Sequence, residues 1–148
     1  MSLGNYAKGK FDMKNPDKYV GKKQPTYRSS WEWTFMNFCD THPNIKKWSS
    51  ETISVPYFNP LKNRKAMYVP DFFVMYEDAQ GNTKAEVVEI KPTKETSLKA
   101  AGKSAYNQAM AVINQCKWQA AEKWCKDQGF AFRILTENDI FHNPKKKR

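Results

Sequence analysis

Apolar residues recur at two different spacings along this chain, and the change of spacing divides it into elements. Across residues 31–40, Trp31, Phe35, Phe38 and Cys39 stand at helical intervals, Ser29 and Ser30 offer an N-cap, and Pro43 stops the run. The spacing predicts a first helix there. Glu32 follows Trp31 by about 100° around that helix, at the border of the apolar stripe, from where it can face a cleft. Residues 51–58 alternate Ile53, Val55 and Tyr57 with Thr52, Ser54 and Pro56, a strand whose proline belongs near an edge or an end. Asn59-Pro60 and Lys62-Asn63-Arg64-Lys65 make a turn. Residues 67–76 read as a second strand, 77–83 as a hairpin loop around Gly81-Asn82, and 85–91 as a third strand ended by Pro92.

Residues 92–102 form a polar, lysine-containing connection that reads as mobile. After it, 104–128 contain few breakers, so a long helix is expected, with Ala109, Val112, Ile113, Cys116, Ala120 and Trp124 along its apolar side and Gly129 as its C′ residue. Residues 130–136 give a fourth strand. The order helix, strand, strand, strand, helix, strand predicts an α/β fold built on a mixed sheet flanked by helices.

Three regions are expected: a basic arm over 1–28, one domain over 29–141 and a basic tail over 142–148. The arm carries seven Lys or Arg against two Asp and is broken by Gly4, Gly9, Pro16, Gly21 and Pro25, so it reads as extended. Its rings, Tyr6, Phe11, Tyr19 and Tyr27, either stack on bases or dock on the domain's own surface, and a solvated leader of no function is the alternative. The tail, Pro144-Lys145-Lys146-Lys147-Arg148, is expected to be disordered, either a DNA-binding end or a plain solvated one.

Charge narrows the partners. The 148 residues carry 25 Lys and Arg against 15 Asp and Glu, a net charge of +10 that must lie on the surface and calls for a polyanion. Nucleic acid is preferred to anionic lipid, because neither an amphipathic basic helix nor a long apolar span is present. Lys8, Lys10, Lys22, Lys23 and Arg28 in the arm, with Lys62, Arg64 and Lys65 in the turn, are the candidate phosphate contacts. Five Trp, seven Tyr and nine Phe supply a packed core and exclude a wholly disordered chain. Cys39, Cys116 and Cys125 are an odd number without a CxxC pair, and His42 and His142 lie far apart, so neither a zinc site, a disulfide framework nor HNH-type chemistry follows. His42, just before Pro43, reads as a helix-end residue. With no charged-then-apolar leader, a reducing cytoplasm is the expected compartment.

Two short pieces carry chemistry: Val69-Pro70-Asp71-Phe72 and Val87-Val88-Glu89-Ile90-Lys91-Pro92. Each places charge where a core strand should be apolar. Strand side chains alternate, so Glu89 and Lys91 share one face, about 7 Å apart, while Val88 and Ile90 point into the core. If the two strands pair through the Gly81 loop, Asp71 comes beside Glu89. Two converging carboxylates repel unless a proton or a cation joins them, and hard oxygen ligands suit Mg²⁺ or Mn²⁺. The Ile90 carbonyl can add a ligand from the same strand. A metal on Asp71 and Glu89, with Lys91 beside the attacking water, is the apparatus of phosphodiester hydrolysis. The alternative is a solvent-facing Glu89–Lys91 ion pair beside an Asp71 bulge.

Pro70-Asp71 followed by Glu89-Ile90-Lys91 resembles the PD-(D/E)xK signature of restriction-endonuclease-like nucleases, and the element order resembles that fold's core. The resemblance implies that Glu32 on the first helix joins the catalytic and metal-binding set, and that Gln108 and Lys117 on the long helix face the site. Tyr27-Arg28-Ser29-Ser30-Trp31-Glu32, Glu51, Val55-Pro56-Tyr57, Pro70-Asp71-Phe72 and Glu89-Ile90-Lys91-Pro92 together resemble the head completion nucleases of T-even-like phages, similar in turn to the catalytic domain of the TnsA transposition endonuclease. That resemblance spans about residues 27–139. It implies a Mg²⁺-dependent DNA endonuclease of phage head completion, working in the host cytoplasm and the virion head with portal or connector proteins as partners. A catalytically silent DNA- or portal-binding head protein, and a repair, recombination or transposition nuclease, are the competing readings.

Overall fold

The structure, a computed structural model, describes residues 8–140. Its elements in chain order are β1 (Gly9–Lys10), a 3-10 turn (Pro16–Lys18), β2 (Thr26–Tyr27), α1 (Ser30–Thr41), β3 (Ile45–Ser50), β4 (Val55–Asn59), β5 (Arg64–Tyr68), β6 (Phe72–Glu77), β7 (Thr83–Ile90), a 3-10 turn (Thr93–Glu95), α2 (Leu98–Ala101), α3 (Ala105–Gln128), β8 (Ala131–Leu135) and α4 (Glu137–Ile140). The central sheet runs β3-β6-β7-β8, antiparallel except for the parallel β7–β8 pair that α3 connects. This is the expected mixed sheet flanked by helices.

Alternation along the strands sends two sets of side chains to two faces. Phe72, Val74, Val88 and Ile90 pack with Phe35, Met36 and Cys39 of α1. On the other face Phe132 and Ile134 of β8 pack with Trp118 and Ala121 of α3 and with Val55 and Tyr68 of the β4–β5 hairpin. Ser29 caps α1 by accepting from the Glu32 amide, and Gly129 closes α3 in the left-handed conformation at φ 81°. His42 is the C-cap of α1, its amide donating to the Phe38 carbonyl, as its position before Pro43 predicts.

Five expectations are corrected. The edge strand β3 replaces residues 51–58 as the first strand of the sheet, because a bulge between Ile45 and Lys47 lets Ile45 and Trp48 both point inward and breaks the alternation that would have announced it. Pro70 splits the expected strand 67–76: without an N–H it cannot continue the ladder, so β5 pairs with β4 as a separate hairpin and β6 joins the sheet. The buried stripe of α3 is Ala111, Asn114, Trp118, Ala121 and Cys125, rotated from the expected one because Asn114 sits in it, donating to the Glu95 carbonyl. That bond and the one from Gln115 to the Thr96 carbonyl hold residues 92–102 as a turn and a short helix rather than an unstructured connection.

The fifth correction concerns the arm. Over residues 8–28 it is folded against α1 and β3 rather than extended. Phe11 is buried beside Trp33 and Trp48, and the rings of Phe11, Tyr19 and Tyr27 dock on the domain. The Asp40 carboxylate accepts from the amides of Lys14 and Asn15 at 2.8 and 3.0 Å, while its carbonyl accepts from Asn15 and Lys18. Val20 donates to the Trp48 carbonyl, which covers the outer edge of β3. Tyr6 and the 142–148 tail lie outside the described residues.

Candidate active site

Asp71 stands one residue before β6, and the register Phe72↔Val88 carried back one step sets it opposite Glu89. Both therefore point to the α3 face. The Asp71 amide donates to Glu89 Oε1 at 3.3 Å, and Asp71 Oδ2 accepts from the Ile90 amide at 2.7 Å. Lys91 Nζ lies 3.5 Å from Glu89 Oε2, and the Lys91 amide is fixed by the Leu135 carbonyl of β8. The strands thus bring Asp71, Glu89 and Lys91 to one point, at the end of the two central strands.

Electrostatics there are unbalanced. Glu89 is only 5% exposed. Burial, then the Glu89 charge, pushes the Asp71 carboxyl up to about 8, against the opposing pull of the Ile90 amide. Burial also raises Glu89, which the Lys91 ammonium pulls back down. Among the described residues Lys91 alone forms an ion pair with either of the two carboxylates, and their burial and mutual repulsion favour a proton or a bound cation between them.

Lys117 joins from α3. Its ammonium lies 5.9 Å from the Tyr57 ring centre and 5.6 Å from that of Tyr68, and burial followed by repulsion from Lys91 lowers its pKa. Glu89 and Asp71 act on it in the opposite sense. Burial and the Glu89 charge raise the Tyr68 hydroxyl, which makes no hydrogen bond of ordinary geometry although Glu89 is near. Neither Tyr57 nor Tyr68 was expected at the site from the sequence. Their signal was the alternation that turns Tyr57 inward with Val55.

Glu32 is placed differently from the expectation. Its Oε1 accepts from the Arg28 amide at 2.9 Å, a variant of the capping box at the start of α1, and α1 packs on the opposite face of the sheet. Burial raises it, and it remains in electrostatic reach of Asp71 and Lys91. Among the described residues no group of three or more His, Cys, Asp or Glu is arranged to hold a metal, and Glu32 is engaged here as a cap. Gln108 donates to the Gly102 carbonyl at 2.6 Å. It stands nine residues, about 13 Å of helix, before Lys117.

Arg28 grips Glu51 through two bonds of 2.7 and 3.0 Å, and the Glu51 amide donates to the Asp71 carbonyl. Beside this pair opens a cleft of ≈ 680 Å³ lined in part by Lys22, Lys23, Arg28 and Glu51. Lys8 and Lys10 are exposed near β1, and Lys62, Arg64 and Lys65 are exposed at the β4–β5 hairpin tip.

The profile of the TnsA-like endonuclease N-terminal family matches residues 42–137, the stretch that contains β3 to β8 and with them Asp71, Glu89 and Lys91. The chain belongs to that family of endonucleases. It is also 37% identical over 142 residues to the head completion nuclease of Enterobacteria phage T4, covering 89% of this chain and 92% of that protein. The matched core is a restriction-endonuclease-like one, and a nuclease role follows from the family. Residues before 42, including Glu32 and the cleft lysines, lie outside the family match.

Proposed function

We propose that the protein is a Mg²⁺-dependent DNA endonuclease of the PD-(D/E)xK type, acting in phage head completion after packaging, with Mn²⁺ able to substitute. The observation that carries this reading is Asp71 opposite Glu89 across β6 and β7 with Lys91 Nζ 3.5 Å from Glu89. The fit to a divalent ion rests on donor chemistry: two carboxylates raised by burial supply hard oxygen ligands, and a cation offsets their repulsion. Asp71, Glu89 and the Ile90 carbonyl would hold it, with water in the remaining positions, as Mg²⁺ prefers. When bound, the ion acidifies water and neutralises charge on the phosphate being cleaved.

The chain's own groups do the rest. Lys91 orients the attacking water and places positive charge beside the pentacovalent phosphate. Lys117, wedged between two tyrosines, adds a second cation on the same face. Glu32 fixes the backbone at Arg28 and shapes the local field, a positioning role. Lys22 and Lys23 hold the flanking phosphates in the cleft. Portal or connector proteins are the expected partners in the particle, and the infected host's cytoplasm and the virion head the expected locations.

The test is cleavage of plasmid and linear DNA by the purified protein. Cutting in Mg²⁺ or Mn²⁺, none in EDTA, and a loss of about 100-fold or more in Lys91→Ala with DNA binding retained support the reading. Salt-sensitive binding without cutting under any divalent ion identifies a silent head protein instead. Equal activity in wild type and Lys91→Ala removes the site.

A further inference from the structure

The outward face of the β4–β5 hairpin is a part of the fold that the site chemistry leaves unused. Its inward side chains, Val55, Tyr57 and Tyr68, belong to the α3 core. Its outward face is apolar: Phe58 lies opposite Lys65 and Pro56 opposite Met67. Phe58, Leu61, Met67 and Val69 are 51, 56, 58 and 42% exposed. Among the described residues these are four of the eight large apolar side chains left exposed, and the four gathered on one hairpin make contiguous apolar surface of the kind that marks a contact site.

Charge selects the occupant. From residue 55 to 69 there is no Asp or Glu, while Lys62, Arg64 and Lys65 crowd the tip. The tip is preformed, because Asn59 Oδ1 accepts the amides of Leu61 and Lys62 and Asn63 turns the chain at φ 52°. A second copy would set like charges against each other across such a face. A polyanion with flat apolar surfaces meets both halves of it, the rings and thioether against bases and the cations against phosphates. Met67 is four residues before Asp71, at most about 14 Å of chain, or roughly four nucleotide steps of 3.4 Å.

We infer that the outward face of β4–β5 is a DNA-docking surface, with Phe58 and Met67 against the bases of the strand presented to Asp71 and the tip cations on its phosphates. The identity of the polyanion rests on the nuclease reading above. Lys117, held between Tyr57 and Tyr68, fixes the hairpin's position relative to the cutting site.

The experiment is fluorescence-anisotropy binding of a labelled duplex by the full chain in EDTA, over a salt series, with folding checked by thermal melting. Phe58→Ala/Met67→Ala is expected to bind about tenfold more weakly with an unchanged salt slope, since stacking releases no counterions. Lys62→Ala/Arg64→Ala/Lys65→Ala is expected to lower the slope by about three. Phe58→Trp, which keeps a ring, should bind as wild type does. Wild-type affinity in Phe58→Ala/Met67→Ala at every salt concentration overturns the inference, as does self-association by sedimentation that this variant abolishes while its DNA affinity stays unchanged. Because binding is read without metal, wild type that binds but never cuts removes the nuclease reading and leaves this surface standing. Normal cutting with unchanged affinity in the variant does the reverse.

Discussion

Asp71→Asn should make the metal-free protein more stable while ending its activity. Asp71 is held up to about 8 from an ordinary value of 3.8 by burial and by Glu89. Between those values the folded state keeps a proton that the unfolded state has lost, so stability falls as pH rises from about 4 to about 8. Each unit corresponds to about 1.4 kcal/mol, which at pH 7 gives on the order of 4 kcal/mol as the ceiling. Relaxation and water entry reduce it, and about 2 to 4 kcal/mol is expected. Asparagine removes this cost, since its amide is neutral, still accepts from Ile90 and still faces Glu89. For a domain of this size the gain is a rise in Tm of roughly 5–10 °C at pH 7, shrinking towards nothing near pH 4. Thermal melts in EDTA at pH 4, 7 and 8 read it directly. Adding Mg²⁺ or Mn²⁺ should stabilise wild type but not the variant. A variant less stable than wild type at pH 7, or a difference that does not change with pH, would refute the reasoning.

Three further outcomes follow from the same structure. Asp71 must lose its proton to take a cation, so cleavage at low Mg²⁺ should rise with pH up to about 8, and higher Mg²⁺ should move that rise to lower pH; a pH–rate series at two metal concentrations checks both. Asp40→Ala, which removes the carboxylate accepting the Lys14 and Asn15 amides, should cost about 3 kcal/mol in urea denaturation and raise amide exchange at Lys14 and Asn15. Lys117→Met should lower the cleavage rate with little effect on DNA affinity and cost about 1 kcal/mol of stability through the lost tyrosine contacts, measured by single-turnover kinetics and denaturation.

How much of this was legible depends on which physical signal each element carries. Asp71 beside Glu89, with Lys91 on the same face, was readable because strand alternation and a short hairpin loop leave few other arrangements. Both long helices were readable, the first from its serine cap and the second from a run with few breakers closed by Gly129. The edge strand β3 was hidden, since Ile45-Lys46-Lys47-Trp48 reads as polar and its bulge destroys the period of two. The break at Pro70 was legible in principle and outweighed by the apolar run around it. The docking of the arm turns on Asp40, a helix acid whose partners lie 25 residues or so away in sequence and leave no local mark. Glu32 had two uses open to it, a ligand or a cap; the structure shows the cap, with Asp71 and Lys91 still in electrostatic reach.

The central claim is that Asp71 and Glu89 together hold a divalent ion with Lys91 beside it. Anomalous diffraction from crystals soaked in Mn²⁺ locates the ion without reference to activity. One strong peak touching both carboxylates and the Ile90 carbonyl is expected, absent in Asp71→Asn. A peak elsewhere, or none at these carboxylates in a soaked crystal that binds manganese at other sites, would contradict it.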